Sequence, residues 1–171
     1  IKHLGSEMME KLAASERCDA SSDFAGLKEV DAILMCVPTP LDIHREPDMS
    51  YVEKTTETVS KHLRAGQLVI LESTTWPGPS EELMIPILEK NSGLKAGADF
   101  YVAYSPERED PGNANFNTAK IPKVVGGHGA EALELAVALY DTAIVQTVPV
   151  TDCKTAEAVK LTENIFMAVN I

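Results

Sequence analysis

The chain alternates short apolar runs with stretches of helical periodicity, and this alternation restricts its fold more than any other feature. Residues 32–37 and 67–71 are almost all apolar, which is typical of strands buried on both faces of a parallel sheet. Further strands are predicted at 100–104, 123–125 and 145–150. Since strands that alternate with helices form right-handed crossovers, the pattern predicts an α/β fold with a doubly wound parallel sheet.

The helices between these runs are predicted from the spacing of apolar residues. From Ser50 to Leu63 such residues recur every three or four positions, which indicates one buried helix face. A helix is also predicted after Ser80, and Pro86 within it predicts a kink or a break. The remaining helices are predicted at 7–14, at 130–140 and from Lys154 to the end of the chain.

Composition excludes some partners and favours one compartment. A net charge of -11 disfavours nucleic acids and anionic membranes, because both repel an acidic protein. No apolar run approaches the roughly 20 residues that span a bilayer, and the given residues show no charged-then-apolar pattern of the secretory kind. The cysteines are odd in number and lack CxxC spacing, which favours a reducing cytoplasm. The chain starts at Ile1 and its last helical pattern continues to Ile171, so we expect a fragment.

Candidate chemistry lies in the loops after the strands, because ligands of doubly wound sheets bind beyond the carboxyl ends. Val37, Pro38 and Thr39 form a stiff turn that suits contact with a flat ligand, although the pattern alone favours an ordinary rigid loop. Thr74 lies among three hydroxyls before a helix, a pattern that suits anion binding or simple N-capping. Glu107 follows a strand end, where a carboxylate can act as a general base, although the residues alone favour a solvated charged loop.

The last predicted helix carries Glu157, Lys160 and Asn164 within about a sixth of its circumference. A lysine and an amide on one face suit stabilisation of an oxyanion, whereas the commoner interpretation of such a stripe is a surface ion pair. The sequence lacks GxGxxG and metal-ligand spacing, and the glycines at 126–129 predict a tight strand-to-helix turn. Cys153 is interpreted as structural, because no base lies near it in sequence.

Taken in order, these segments resemble the UDP-glucose/GDP-mannose dehydrogenase family, and within it they are most similar to bacterial UDP-N-acetylglucosamine 6-dehydrogenases. The resemblance covers essentially the whole chain. It rests on the order of VPTP at 37–40, ESTTWPG at 72–78, SPEREDPGN at 105–113, IPKVVGG at 121–127 and AEAVKLTEN at 156–164.

The resemblance implies a fold, a reaction and a cofactor. It implies a partial Rossmann-like NAD-binding domain over residues 1–152 and the start of a long central dimerisation helix at 153–171. Family members oxidise the C6 hydroxyl of a nucleotide sugar to a carboxylate with two NAD, through a thiohemiacetal and a thioester on a cysteine. The resemblance places the first strand with its Gly-rich turn before Ile1, and the nucleophilic cysteine after Ile171. We therefore expect the isolated chain to be inactive.

The resemblance also assigns residues. It implies that Val37, Pro38, Thr39 and Thr74 contact NAD, and that Thr74 helps to hold the catalytic water. Glu107 corresponds to the carboxylate that acts as base in thioester hydrolysis. The contacts to the UDP-sugar are implied for Glu107, Arg108, Lys160 and Asn164, of which Lys160 and Asn164 stabilise negative charge at the reacting carbon.

Two other functions remain open at this stage. One is a 3-hydroxyacid dehydrogenase of similar architecture, in which the Ser-Pro-Glu-Arg loop and the Lys160/Asn164 pair would not be expected. The other is a non-catalytic nucleotide-binding or dimerisation module. The sequence leaves the identity of the sugar and the choice between NAD and NADP undetermined.

Overall fold

A computed structural model describes residues 6–15, 18–44, 46–107 and 121–170 of the chain. Its strands are β1 (Ala32–Met35), β2 (Leu68–Leu71), β3 (Tyr101–Tyr104), β4 (Lys123–Gly127) and β5 (Thr147–Val150). Its α-helices are α1 (Ser6–Ala13), α2 (Ser50–Ser60), α3 (Ile85–Ser92), α4 (Ala130–Tyr140) and α5 (Cys153–Asn170). A short 3₁₀ segment precedes β1 at Phe24–Glu29. Every helix and strand predicted above is therefore found, with ends that differ by a few residues.

The strands form a single sheet in the order β1-β2-β3-β4-β5. The α/β class is confirmed, and the pairs β1–β2, β2–β3 and β4–β5 are parallel as predicted. The sheet is mostly parallel, and the one pair that departs from the predicted orientation is β3–β4, which is antiparallel. An antiparallel partner starts at the edge where the preceding strand ends and needs no crossover helix. Pro106, Pro111 and Pro122 in the connecting sequence also disfavour such a helix.

Both faces of the sheet are covered at β2, whose four residues are all buried, and this explains the apolar run at 67–71. At the edge strand β1 the prediction of burial on both faces was wrong, because Leu34 is 45% exposed. One face carries side chains such as Val69, Leu71 and Val102, which pack against α2, α3 and α5. The opposite face carries Leu68 and Ile70, which pack with α4. Because successive side chains of a strand point to opposite faces, a strand between two helical layers must be apolar at every position.

The helix predicted after Ser80 is irregular next to Pro86. A π-helical turn occupies Ser80–Met84, and α3 begins at Ile85 with the proline in its first turn. The backbone stays helical at Met84 and Ile85, so the predicted break is not found there. The π-helical turn agrees with an irregularity at Pro86, because a proline ring and its missing N–H disturb regular α-helical hydrogen bonding.

Two glycines of β4 allow the helices to approach the sheet closely. A Cβ atom at Gly126 would lie 2.1 Å from the carbonyl oxygen of Asp152, just before α5. At Gly127 it would lie 2.3 Å from the backbone nitrogen of Leu133 in α4. The glycines at 126 and 127 thus belong to a strand, and only His128 and Gly129 form the predicted turn to α4.

Within the described ranges, no helix combines the length and apolar character needed to cross a membrane. The same residues include no group of three or more His, Cys, Asp or Glu that could hold a metal ion.

Candidate functional site

The carboxyl ends of β1, β2 and β3 and the start of β4 lie at one edge of the sheet. The segments that follow the three parallel strands carry Val37, Thr74 and Glu107. Because β4 is antiparallel, its first residue, Lys123, also lies at this edge. The fold thus brings segments that are up to 86 positions apart in sequence, from 37 to 123, to a common edge.

The turn after β1 is fastened to the loop after β2 by one hydroxyl. Ser73 Oγ accepts a hydrogen bond of 2.9 Å from the backbone N–H of Val37 and donates one of 2.7 Å to the Val37 carbonyl. Val37 and Thr39 are half-buried, whereas Pro38 is exposed. A turn held by both backbone groups of one residue keeps its shape when a ligand approaches.

The loop after β2 presents one of its three hydroxyl residues to solvent. Thr74 is exposed, whereas Ser73 and Thr75 on either side of it are buried. The Tyr104 hydroxyl donates to the Ser73 carbonyl at 3.2 Å, which fixes the base of the loop from β3. Thr74 is therefore the accessible hydroxyl of this loop, as a role in ligand contact requires.

Glu107 and Lys160 come together although they are 53 residues apart. The Lys160 ammonium donates a hydrogen bond of 2.8 Å to the backbone carbonyl of Glu107, and both residues are partly buried. Asn164 lies one turn further along α5 and is half-buried. Arg108 lies outside the residues that the structure describes. Three of the four residues predicted to contact a sugar thus lie on two segments joined by this hydrogen bond.

A buried ion pair supports the same edge and was not predicted. Lys123 Nζ lies 3.1 Å from Glu72 Oε1, and the two side chains are only 6% and 11% exposed. The Tyr140 hydroxyl donates to the same oxygen at 2.5 Å, and the Cys36 thiol lies 3.3 Å from Glu72 Oε2. Lys123 Nζ also lies 3.4 Å from the carbonyl of Pro106, directly before Glu107. Glu72 and Lys123 belong to motifs already noted, but no spacing in the sequence relates them.

The Glu72 carboxylate changes the acidity of the groups around it. Burial, together with the negative charge and the hydrogen-bonding oxygen of Glu72, raises the pKa of the Cys36 thiol to about 12. The same causes raise the pKa of the Tyr140 hydroxyl well above its ordinary value. Both groups stay protonated at neutral pH and act as hydrogen-bond donors to Glu72. A cavity of about 250 Å³ adjoins this cluster and is lined by Glu72, Glu107, Lys123 and Tyr140 among others.

Glu157 does not lie at the surface, although a surface ion pair is the commoner interpretation of a stripe of this kind. Its side chain is 0% exposed, so it is not part of a surface ion pair. Its two carboxylate oxygens accept hydrogen bonds from the residues at 78 and 80, before and within the π-helical turn. Helical periodicity placed Glu157 on a face with Lys160, but burial of that part of the face depends on the loop packed over it.

The Cys153 thiol is buried and lies 3.6 Å from the Gly126 carbonyl. Burial, aided by the nearby Glu157 carboxylate, raises the pKa of this thiol. These features agree with the structural role predicted for Cys153, because a thiol kept protonated is a poor nucleophile.

The family of this chain is shown by its similarity to known proteins. The sequence model of the NAD binding domain of the UDP-glucose/GDP-mannose dehydrogenase family matches residues 2–144. The chain belongs to that family. The match confirms the predicted resemblance and, with it, the assignment of this fold as an NAD-binding domain. It also decides against the 3-hydroxyacid dehydrogenase alternative.

Individual relatives agree with the family assignment. Protein CapL of Staphylococcus aureus is 40% identical over 166 residues, which are 96% of this chain and 39% of CapL. A UDP-N-acetyl-D-glucosamine 6-dehydrogenase of Pseudomonas aeruginosa is 40% identical over 146 residues, which are 85% of this chain and 35% of that protein. The solved structure of a UDP-D-ManNAc dehydrogenase from Pyrococcus horikoshii superimposes with a TM-score of 0.90 at 36% identity, over 96% of this chain and 39% of the other. The chain thus spans little more than a third of the length of these relatives.

The edge residues fit part of an NAD molecule. The exposed Thr74 hydroxyl and the fastened turn at Val37 lie where dinucleotides bind in sheets of this kind, beyond the carboxyl ends of parallel strands. A GxGxxG turn, which grips the pyrophosphate in dinucleotide-binding domains, does not occur in the sequence of this chain. The residues present therefore suit contact with the part of the cofactor away from the pyrophosphate.

Proposed function

We propose that this chain is the NAD-binding part of a longer nucleotide-sugar 6-dehydrogenase that converts the C6 hydroxyl of a UDP-hexose to a carboxylate, with UDP-N-acetylglucosamine as the preferred substrate. The observation that carries the proposal is the 2.8 Å hydrogen bond from Lys160 Nζ to the Glu107 carbonyl. It joins the two residue types that the reaction needs, a cation for developing negative charge and a carboxylate for activation of water.

The overall reaction consumes one alcohol, one water and two NAD⁺, and it yields one carboxylate, two NADH and three protons. NAD⁺, when bound, accepts the hydride in each of the two oxidations. As hydride leaves C6, negative charge develops on the attached oxygen, which Lys160 and Asn164 stabilise by donating hydrogen bonds. An ammonium carries three N–H donors, so its bond to the Glu107 carbonyl is compatible with a second bond to the substrate oxygen.

The other predicted residues have separate roles in this proposal. Thr74 contacts the cofactor and holds the hydrolytic water, for which its exposed hydroxyl is suited. The Glu107 carboxylate removes a proton from that water. Val37, Pro38 and Thr39 line the cofactor, and Arg108 contributes to sugar binding. The nucleophilic cysteine is supplied by sequence beyond this chain, since the family resemblance matches none of the three cysteines to it. In agreement with this, Cys153 is buried and protonated, and the raised pKa of Cys36 disfavours its thiolate.

The division into a domain at 1–152 and a central helix from 153 is part of the same proposal. The exposed apolar side chains of α5 support a homodimer that buries this face, and they include Leu161, Ile165 and Val169. A cytoplasmic location is supported by the free thiols of Cys18 and Cys36, both exposed.

The test is NADH formation by the full-length protein with UDP-N-acetylglucosamine, UDP-glucose and GDP-mannose. We expect two NADH per UDP-N-acetylglucosamine, and a loss of about 10²–10³ in kcat for Lys160→Ala. Lys154→Ala is the matched control, because Lys154 lies on the same helix and is exposed. Absence of NADH with every sugar would favour the non-catalytic binding module instead, and an unchanged rate in Glu107→Gln would overturn the role of Glu107 as the base.

A further inference from the structure

Glu157 is a fully buried carboxylate whose described hydrogen bonds all come from one short segment of chain. Glu157 Oε2 accepts from the Gly78 N–H at 2.5 Å, and Oε1 accepts from the N–H and the hydroxyl of Ser80 at 3.0 and 2.7 Å. Charge-assisted bonds of this kind are stronger than neutral ones. Three of them offset the cost of keeping a carboxylate at 0% exposure.

The charge of Glu157 is balanced by backbone groups. The donors at Gly78 and Ser80 lie at the start of the helical stretch that continues into α3, where N–H groups lack partners within the helix. Burial raises the pKa of the Glu157 carboxyl above its ordinary value, and the hydrogen bonds from Gly78 and Ser80 offset only part of this rise. The buried Glu157 carboxylate thus caps the start of this helical stretch, and both of its oxygens accept hydrogen bonds there.

This cap joins the two segments that carry the proposed site. Lys160 and Asn164 lie about 4.5 and 10.5 Å beyond Glu157 along the axis of α5, at 1.5 Å per residue. On the other side of the contact, Thr74 precedes Gly78 by four residues. The Thr74 loop is therefore held at one end by Ser73, through Val37, and at the other end by Glu157.

A second contact between the same elements provides a comparison. Lys154 Nζ lies 2.9 Å from Glu82 Oε1, but the two side chains are 46% and 66% exposed. Such an exposed pair is screened by water and constrains little. The buried contact at Glu157, and not the surface pair at Lys154, is the one able to fix the relative position of loop and helix.

We propose that Glu157 is a positioning residue, whose carboxylate holds the loop that carries Thr74 in register with the helix face that carries Lys160 and Asn164. The inference rests on the nucleotide-sugar dehydrogenase function proposed above. Glu157 need not contact the substrate or the cofactor. Its effect on turnover passes through Gly78 and Ser80.

The experiment compares three variants of the full-length protein. Glu157→Gln keeps the size of the side chain but turns its NH₂ group towards a backbone N–H, because Gly78 and Ser80 both donate. Ser80→Ala removes only the hydroxyl donor and is the milder perturbation. Lys154→Gln removes the surface pair and is the control. For each variant, kcat and KM for sugar and NAD are measured well below its melting temperature, and amide hydrogen exchange is measured for peptides covering 73–80 and 157–164.

We expect Glu157→Gln to lower kcat at least tenfold while KM for the sugar changes less than threefold, with faster exchange in both peptides. Ser80→Ala should change both readouts in the same direction but less, and Lys154→Gln should match the wild type.

A lower melting temperature with unchanged kcat and exchange in Glu157→Gln would overturn the proposal. If Glu157→Gln fails to fold, a Ser80→Ala protein with normal kcat and exchange would overturn it. If the wild type itself turns over no sugar, the proposed function fails. Amide hydrogen exchange of the Glu157→Gln protein then tests the positioning role by itself. Faster exchange in both peptides supports that role, and unchanged exchange overturns it.

Discussion

The buried pair of Glu72 and Lys123 offers a sharp test of how this domain is held together. Replacing Lys123 by Met removes the ammonium and leaves the Glu72 carboxylate nearly buried, with the Tyr140 hydroxyl and the Cys36 thiol as its described donors. Breaking one partner of a buried pair costs about 3–5 kcal/mol, because the other charge loses its compensation. The remaining donors reduce that cost, so we expect Lys123→Met to lower the free energy of unfolding by about 3 kcal/mol.

Urea denaturation of the protein, followed by circular dichroism, measures this quantity. With a slope of about 2 kcal/mol per molar urea, the midpoint should fall by roughly 1.5 M. The double variant Glu72→Gln/Lys123→Met removes both charges and keeps an oxygen to accept from Tyr140. It should recover about 2 kcal/mol of the loss, because neither charge is then left buried without its partner.

The matched control is the surface pair of Asp31 and Arg64. Its N···O distance is 2.7 Å, shorter than the 3.1 Å of the buried pair, but its side chains are 96% and 39% exposed. Asp31→Asn should cost less than about 1 kcal/mol, because water screens an exposed pair. Equal effects of Lys123→Met and Asp31→Asn would refute the reasoning, since burial would then not determine the energy of the pair.

Two further outcomes follow from the geometry. Gly126→Ala should lower the melting temperature by about 4–8 °C, a loss of about 2 kcal/mol, because its Cβ would lie 2.1 Å from the Asp152 carbonyl oxygen. The control is Gly26→Ala, which should leave the melting temperature unchanged or slightly higher, because a Cβ there has no neighbour within 4 Å. Equal effects of the two substitutions in calorimetry would contradict the close approach at Gly126. The Cys36 thiol, with its pKa raised to about 12, should react with iodoacetamide at pH 8 on the order of 10³-fold more slowly than an ordinary thiol, as read by mass spectrometry of its peptide. Since the folded state holds this proton more tightly, Cys36 should reduce stability as pH rises from the ordinary thiol value towards 12, and a Cys36→Ala protein without that loss is the control.

The strands and helices were largely predictable because their signals are local. An apolar run such as 67–71 has to be buried on both faces, and the spacing from Ser50 to Leu63 defines a helix face wherever the helix packs. The π-helical turn next to Pro86 is a local effect too, since a proline ring disturbs the helix that contains it. The orientation of β4 is different, because it depends on whether β4 begins beside the start or beside the end of β3. No local sequence pattern predicts this.

The site residues divide in the same way. Motif order was sufficient to select Thr74, Glu107 and Lys160 as candidates, and the hydrogen bond between Lys160 and the Glu107 carbonyl agrees with that selection. The partners of Glu72 and the burial of Glu157 were missed. A charged residue is usually solvated, and its sequence neighbours do not reveal that a distant lysine or loop will cover it.

The residue patterns alone were sufficient to assign the α/β class, the positions of the elements and the family, because each depends on one segment or on the order of motifs. The folded chain was needed to show which charges are buried, which strand is antiparallel and which segments the Glu157 carboxylate connects. These properties depend on contacts between residues up to 79 positions apart, such as Gly78 and Glu157, where the energy comes from excluding water around both partners at once.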